Sequence, residues 1–191
     1  RPSFPGFEKK ASSLTSMSVI ARTATWFGRS AVATDKCSQS LSDRIFVDFE
    51  ASGIHPDSYP IEIGIVGPDF EFEALIQPVR YWTHWSHDAQ DMHGISRDLI
   101  ESQGVAPSQL CQQLNDRFSG QVLWSDSHYD ALWVDILFEA AGIQPEFEIK
   151  DIMAQVDVLK LPEYRGGGQD ALAHRALPDA REVRACWLAY L

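Results

Sequence analysis

One stretch of the sequence decides the fold: Arg44-Ile45-Phe46-Val47-Asp48-Phe49-Glu50. Its β-branched and aromatic residues form a short apolar run, which is typical of a buried strand. Because side chains alternate between the two faces of a strand, Asp48 and Glu50 are expected on the same side. Such a pair fits two solvated acids at a strand end, or two ligands for a hard divalent cation such as magnesium or manganese.

The segments that follow predict an antiparallel meander. Residues 61–66 and 70–76 are β-rich apolar runs, and Gly67-Pro68-Asp69 between them is a turn. The aromatic and histidine-rich stretch over 81–93 is interpreted as irregular. Helices and strands then alternate, which predicts an α/β fold with a mixed sheet and helices on its faces.

Apolar spacing and chain breakers place the later elements. They are expected as a helix over 109–118 capped by Ser108, a strand over 121–124, a helix over 130–141 ended by Gly142, a strand near 147–150, a short helix after Asp151, a glycine loop at 166–168 and a C-terminal helix. Pro178 is expected at the first position of that last helix, because a proline has no N–H to donate there.

Composition and charge bound the classes of function. The 191 residues are 45% hydrophobic and 23% charged, as in a soluble globular protein. No apolar run approaches the roughly 18–20 residues that cross a bilayer, so no membrane partner is expected. Residues 41–191 hold 10 basic and 25 acidic residues. A long nucleic-acid duplex is not the first expectation, because binding to a phosphate backbone normally needs a basic footprint.

The chain divides into an extension and a folded domain. Residues 1–40 hold six basic and two acidic residues and are rich in serine, which predicts a flexible extension. A linker, an artefact of expression and a targeting segment all fit that composition. Residues 41–191 are expected to form the domain. The three cysteines are too few for a disulfide scaffold, and no secretory signal is evident, so a cytoplasmic location is expected.

A second group of candidate residues lies near the C-terminus, in His174-Arg175-Ala176-Leu177-Pro178-Asp179. His174 is expected in a loop and Asp179 in the first turn of the last helix. Taken alone, Asp179 is a common capping residue and a single histidine is rarely a base. The combination with Asp130, which opens an earlier helix, points to one site.

Four segments together resemble the DEDDh 3′–5′ exonucleases, the superfamily of RNase T and of proofreading subunits. The resemblance covers about residues 44–191. Its segments are Asp48-Phe49-Glu50-Ala51-Ser52-Gly53 for the first motif, Ser125-Asp126-Ser127-His128-Tyr129-Asp130 for the second, His174 to Asp179 for the third, and Met92-His93-Gly94-Ile95-Ser96 for a His-Gly-Ile-Thr segment between the first two.

The resemblance implies an RNase H-like fold, with a mixed five-stranded sheet that begins with the meander and helices on both faces. It implies that two Mg²⁺ or Mn²⁺ ions bind to Asp48, Glu50, Asp130 and Asp179, and that His174 is the general base. It also implies that the terminal nucleotide contacts Ala51, Ser52, His93 and Asp88.

The chemistry of this set is consistent with phosphodiester hydrolysis. Two metals roughly 3.5–4 Å apart can hold the attacking water and the leaving 3′ oxygen in line. A histidine titrates near neutral pH, so His174 can take the proton of the water. Two departures from the family pattern matter. Ser125-Asp126 replaces the usual His-Asn, which makes Asp126 an alternative ligand to Asp130, and Ala51-Ser52 replaces Thr-Thr or Thr-Ser.

The expected function is therefore a metal-dependent 3′–5′ exonuclease that releases nucleoside monophosphates from single-stranded DNA or RNA with a free 3′ end. The acidic domain favours short strands, or strands delivered by a partner. The alternatives are a proofreading exonuclease associated with a polymerase and a non-catalytic interaction module that keeps the fold. The choice between DNA and RNA stays open. Many relatives are dimers, so a homodimer is a candidate state.

Overall fold

The computed structural model describes residues 40–155 and 174–189. Their strands form one five-stranded sheet in the order β3-β2-β1-β4-β5. The strands are β1 (Ile45–Ala51), β2 (Pro60–Val66), β3 (Glu71–Leu75), β4 (Val122–Ser125) and β5 (Glu148–Asp151). The pairs β1–β2 and β2–β3 are antiparallel, whereas β1–β4 and β4–β5 are parallel. The expected mixed sheet with the meander first is confirmed.

Helices cover both faces of this sheet. They are α1 (His87–His93), α2 (Arg97–Gln103), α3 (Pro107–Phe118), α4 (Tyr129–Ala141) and α5 (Ala176–Ala189), with short 3-10 turns at Leu41–Asp43 and Met153–Gln155. Val47 and Phe49 of β1 pack in one buried cluster with residues of α3 and α4. Phe46 packs in a second cluster with residues of α5. The alternation of side chains along β1 therefore separates the two layers.

The irregular interpretation of residues 81–93 is wrong over its second half, where α1 lies. The Ser86 hydroxyl accepts the Ala89 N–H at 3.2 Å, and Gly94, at φ 69°, ends the helix. The following helix α2 begins in the same way, with Ser96 accepting the Leu99 N–H at 3.2 Å. Because both helices span only seven residues, their caps are a stronger signal than any apolar periodicity.

Two other helices begin earlier than expected. Helix α3 starts at Pro107, with Ala106 rather than Ser108 as the preceding cap residue and no capping side chain. Helix α5 starts at Ala176, two residues before Pro178. The first-turn N–H groups of a helix have no partner within the helix, so a proline is tolerated at several first-turn positions and does not fix the first residue.

Two expectations fall outside the part of the chain that the structure describes. These are the glycine loop at 166–168 and nearly all of the extension over 1–40. Within residues 40–155 and 174–189, no helix combines the length and the apolar character that crossing a bilayer requires.

Candidate active site

The central strand β1 presents Asp48 and Glu50 to the face that α5 covers. Phe46 lies on the same side and packs with α5, whereas Phe49 between the two acids packs in the opposite layer. The alternation predicted from the sequence therefore places both carboxylates on one face.

Two residues of β2 lie opposite these carboxylates. Gly64 is paired with Asp48, and Glu62 is paired with Glu50. A Cβ atom at Gly64 would lie 2.2 Å from the backbone nitrogen of Leu177, so the start of α5 can approach this closely only because the residue is glycine. The first turn of α5 is therefore held beside the carboxylates of β1.

Carboxylate and imidazole atoms meet there in two groups of three side chains. In each group, one ligand atom from every member lies within 4.8 Å of the others. The first group is Asp48, Asp126 and Asp130, and the second is Glu50, His174 and Asp179. The structure thus brings together all five residues predicted as metal ligands or general base, and it places Asp126, the alternative ligand, in the same group as Asp130.

The first group is completed by the connection between β4 and α4. Asp130 lies in the first turn of α4 and is 2% exposed. The Ser125 hydroxyl donates to Asp130 Oδ2 at 2.5 Å and accepts the Ser127 N–H at 2.9 Å. Ser125 thus fixes the Asp130 carboxylate. Asp126 lies in the turn between these residues.

The second group is completed by the start of α5. The His174 N–H donates to the Met92 carbonyl at 3.0 Å, which attaches this residue to the end of α1. His174 Nδ1 lies 3.5 Å from Asp179 Oδ2. When Nδ1 carries a proton toward that carboxylate, Nε2 is the atom that accepts a proton. This tautomer suits a general base.

The site concentrates negative charge in a low-dielectric environment. Burial raises the pKa of Asp48 well above its usual range, and the charges of Asp130 and Glu50 raise it further. Burial also raises the pKa of Glu50 to about 8, with Asp179 contributing. The pKa values of Asp130 and Asp179 are raised mainly by burial as well. A bound divalent cation would offset this repulsion, and oxygen donors with one imidazole suit Mg²⁺ or Mn²⁺.

A cleft of about 170 Å³ opens beside the acidic groups. Asp48, Glu50 and Asp130 form one part of its wall. The rest of the wall is mostly apolar and includes Ala51, Gly53, Ile54, Ala89, Met92, His93, Tyr129 and Trp133. Ile54 is 83% exposed and Met92 57% exposed, so the cleft has an open apolar rim. A cleft with an acidic wall and an apolar rim can bind a nucleic-acid strand when metal ions neutralise the carboxylates, because the bases then contact the apolar side chains.

His93 is the predicted substrate contact that the structure places deepest in this wall. Its Nδ1 accepts the Ile95 N–H at 3.0 Å, so the neutral ring carries its proton on Nε2. That Nε2 atom is buried and has no hydrogen-bond partner among the described residues. Burial lowers the pKa of His93 to about 4, so the ring is neutral at physiological pH.

Ala51 lines the cleft, but the structure does not bring Ser52 or Asp88 to it. The Ser52 N–H donates to the Tyr59 carbonyl at 2.9 Å, and the Ser52 hydroxyl accepts the Tyr59 N–H at 3.2 Å. The Ser52 carbonyl accepts the Ser86 N–H at 2.8 Å. The polar groups of Ser52 therefore hold the loop after β1 in place. Asp88 is exposed in the first turn of α1.

Sequence reasoning missed an ion pair at the edge of the site. Glu62 lies on β2, whose seven residues are all buried, and it binds the guanidinium of Arg175. A glutamate within an apolar strand is an available signal, because a buried carboxylate requires a partner. The sequence does not name that partner, which is 113 residues away.

No protein-family profile matches the sequence, and no curated protein does. Solved structures do resemble the chain. Exonuclease I from Methylocaldum szegediense has a TM-score of 0.59 at 15% identity, covering 78% of this chain and 39% of that chain. E. coli Exonuclease I in complex with a dT13 oligonucleotide has a TM-score of 0.58 at 15% identity, covering 76% and 40%. The zinc-bound E. coli Exonuclease I complex with single-stranded DNA has a TM-score of 0.58 at 14% identity, covering 77% and 39%.

These likenesses show the fold. The chain is an α/β protein of the RNase H-like architecture that Exonuclease I shares. It spans about two fifths of the length of the Exonuclease I chains that it matches.

Proposed function

We propose that this chain is a metal-dependent 3′–5′ exonuclease that releases nucleoside monophosphates from single-stranded nucleic acid. The observation that carries the proposal is the convergence of carboxylates from β1, α4 and α5 with His174 beside one cleft. Separate elements supply these groups, so the arrangement is not the chance crowding of acids along one segment. The exonuclease fold supports the same conclusion.

In this proposal Asp48, Glu50, Asp130 and Asp179 bind two Mg²⁺ or Mn²⁺ ions. Divalent ions bound there would polarise the scissile phosphate and lower the pKa of a bound water. The chain's own contribution is to orient the ligands. Ser125 fixes Asp130 through its hydroxyl, and the backbone of β1 fixes the spacing of Asp48 and Glu50.

His174 takes the proton of the attacking water in this proposal. Its Nδ1 lies toward Asp179, which orients the ring and leaves Nε2 to accept the proton. The hydrogen bond from the His174 N–H to Met92 holds the backbone of the base next to the cleft wall. The base and the wall that receives substrate are thus attached to each other.

The apolar rim supports a strand with unpaired bases as the substrate. Ile54, Met92 and Tyr129 are exposed around the cleft, and Tyr129 stacks on Trp133 with ring centroids 6.2 Å apart. Unpaired bases offer apolar faces to such side chains, whereas paired bases do not. The E. coli Exonuclease I structure with dT13 shows an oligonucleotide bound to a protein of this fold. His93 and Ala51 are the proposed contacts to the terminal nucleotide.

The test is release of mononucleotides from 5′-labelled single strands with Mg²⁺ or Mn²⁺. Strands with a free 3′ end and strands with a blocked 3′ end are compared, in DNA and RNA versions. We expect product only from the free 3′ end, and the faster polymer identifies the substrate class. The His174→Ala variant is expected to lose about 100-fold or more in rate, as befits a general base. His87→Ala, an exposed histidine at the start of α1, is the matched control.

Three outcomes would replace this proposal. Internal cleavage of blocked strands would show an endonuclease on the same fold. Absence of cleavage in a folded protein that binds Mn²⁺ would favour the non-catalytic interaction module. Cleavage that requires an added polymerase would favour the proofreading role.

A further inference from the structure

Glu62 is a buried carboxylate whose oxygens are all used in binding the start of α5. Its side chain is 3% exposed. Arg175 Nε lies 3.0 Å from Oε1 and 2.9 Å from Oε2, and Arg175 Nη2 also donates to Oε1. The Ala176 N–H donates to Oε2 at 3.0 Å. Ala176 is the first residue of α5, so Glu62 binds both the guanidinium before the helix and the helix start itself.

The contact between Glu62 and Arg175 connects the two parts of the second ligand group, Glu50 on β1 and the residues at the start of α5. Glu62 is paired with Glu50 across β1 and β2, while Arg175 directly follows His174 in the chain. Asp179 lies one turn further along α5, and its N–H donates to the Arg175 carbonyl at 3.0 Å. The position of His174 and Asp179 relative to Glu50 therefore depends on where Glu62 holds Arg175.

The pair also sets the charge next to Glu50. Glu62 is paired with Glu50 across the two strands and carries a negative charge, and the guanidinium of Arg175 places a positive charge beside it. Without the charge of Glu62, the remaining carboxylates whose charges act on the guanidinium are Glu73 and Glu50. Arg175 would then compete with a metal ion for Glu50.

We propose that Glu62 and Arg175 are a positioning pair that holds Asp179 in metal-binding geometry against Glu50 and holds His174 beside it. The inference rests on the proposed function, because it assigns these two residues a role at the same site. Neither residue contacts the substrate or the metal in this proposal. Both act through the start of α5.

The protein offers a matched control on the same helix. Arg181 of α5 binds Glu71 of β3 through the same fork, with Nε 2.7 Å from Oε1 and Nη2 2.5 Å from Oε2. This second pair is open to solvent, since its side chains are 49% and 45% exposed. Glu71→Gln therefore removes a helix-to-sheet ion pair of the same chemistry without removing a buried charge.

The experiment measures Mn²⁺ affinity by calorimetry for the wild type, Glu62→Gln and Glu71→Gln. We expect Glu62→Gln to weaken Mn²⁺ binding about tenfold, as removal of a group that orients ligands does. Glu71→Gln is expected to stay within about twofold of the wild type, as is usual for an exposed pair. Equal affinities for Glu62→Gln and the wild type would overturn the proposal.

A second variant covers the case in which Glu62→Gln does not fold. Arg175→Lys keeps the charge and loses the fork, and it is expected to weaken Mn²⁺ binding by several-fold to about tenfold. Wild-type affinity in folded Arg175→Lys would overturn the proposal. The readout needs no hydrolysis, so a wild type that binds Mn²⁺ but releases no nucleotide would refute the proposed function and leave the positioning role standing.

Discussion

Asp126 and Asp130 both reach the first ligand group, but the structure holds them differently. Asp130 is almost fully buried and accepts the Ser125 hydroxyl, whereas Asp126 is half-buried in the turn before α4. A carboxylate fixed by a neighbour keeps its geometry when substrate arrives. Asp130 is therefore the expected principal ligand, and Asp126 an addition to the charge of the site.

The corresponding substitutions should differ in their effect. Asp130→Asn is expected to lower the rate of nucleotide release by about 100-fold or more, and Asp126→Asn by about tenfold or less. Single-turnover rates at saturating Mn²⁺ would measure both. The reverse order would show that Asp126 has taken the role of the ligand.

The raised pKa of Glu50 predicts how stability depends on pH without metal. The pKa of Glu50 is about 8 in the folded protein against an ordinary value of 4.5, so the folded state binds this proton more tightly. The resulting stabilisation is complete below pH 4.5 and is lost as the pH rises through 8. The pKa of His93 is lowered from its ordinary value of 6.5 to about 4, so His93 destabilises the folded protein as the pH falls below 6.5. It has little effect on stability above pH 6.5.

The metal-free protein should therefore be about 1–2 kcal/mol more stable near pH 6.5 than near pH 8.5. Urea unfolding in EDTA at the two pH values would measure the difference. Glu50→Gln should reduce it, because the amide has no proton to lose. A free energy of unfolding that rises from pH 6.5 to pH 8.5 would contradict this prediction. It would show that burial and neighbouring acids do not disfavour the charged form of Glu50.

The positions of individual site residues were predictable where the geometry of one strand or helix determines which face a side chain occupies. Asp48 and Glu50 followed from the alternation along a strand. The hydrogen bonds of Ser52 to Tyr59 and Ser86 did not follow from the sequence, because they form only when the loop folds. The pairing of Glu62 with Arg175 also required the tertiary structure, since no local rule connects residues that are 113 positions apart.

At the scale of elements, the contact between β2 and α5 depends on Gly64. A Cβ atom at Gly64 would lie 2.2–2.4 Å from backbone atoms of Ala176 and Leu177. The backbones of β2 and α5 cannot shift to relieve this clash as a flexible side chain can. Gly64→Ala is expected to destabilise the protein by about 3 kcal/mol or more and to weaken Mn²⁺ binding, since it pushes α5 away from Asp48.

Gly120→Ala is the control for this substitution. Gly120 has φ +72° and nothing within 4 Å of the added carbon, so the cost there is conformational alone. About 1 kcal/mol with unchanged Mn²⁺ affinity is expected. Urea unfolding and calorimetry on both variants would measure these effects. Similar results for the two glycines would refute the close approach of α5 to β2.

Helices and strands marked by apolar runs and chain breakers were predictable from the sequence. Short helices marked only by a capping residue were harder to predict. The five strands and the helices α3 to α5 followed from apolar runs and breakers, with small shifts at their ends. The short helices α1 and α2 were missed, although Ser86 and Ser96 mark their starts. Ser108 and Pro178 placed the starts of α3 and α5 only to within a turn, because the first-turn N–H groups have no partner within the helix and do not fix its first residue.

For the whole molecule, charge predicts a preference among substrates. Residues 41–191 hold 15 more acidic than basic residues. Four or five of the acids would be offset by metal ions, which leaves a domain that repels long polyanions. Strands of about two to five nucleotides are therefore expected to be cut at least as fast as strands of about thirty, and added salt should speed the long strands by screening the repulsion.

Rates on the two lengths at low and at moderate salt would measure this preference. A strong preference for long strands at low salt would contradict the argument from charge. Such a result would point to a basic path for the strand that the charge count does not reveal.

Metal-dependent hydrolysis at the acidic cleft is the property on which the proposed function depends. Its most direct test is the rate of mononucleotide release by protein stripped with EDTA and then titrated with Mn²⁺. We expect no release before the titration, full release after it, and a loss of about 1,000-fold or more in Asp48→Asn. Asp116→Asn, which replaces an exposed aspartate of α3, should behave as the wild type. Release without metal, or equal release by Asp48→Asn, would contradict metal-dependent hydrolysis at this cleft.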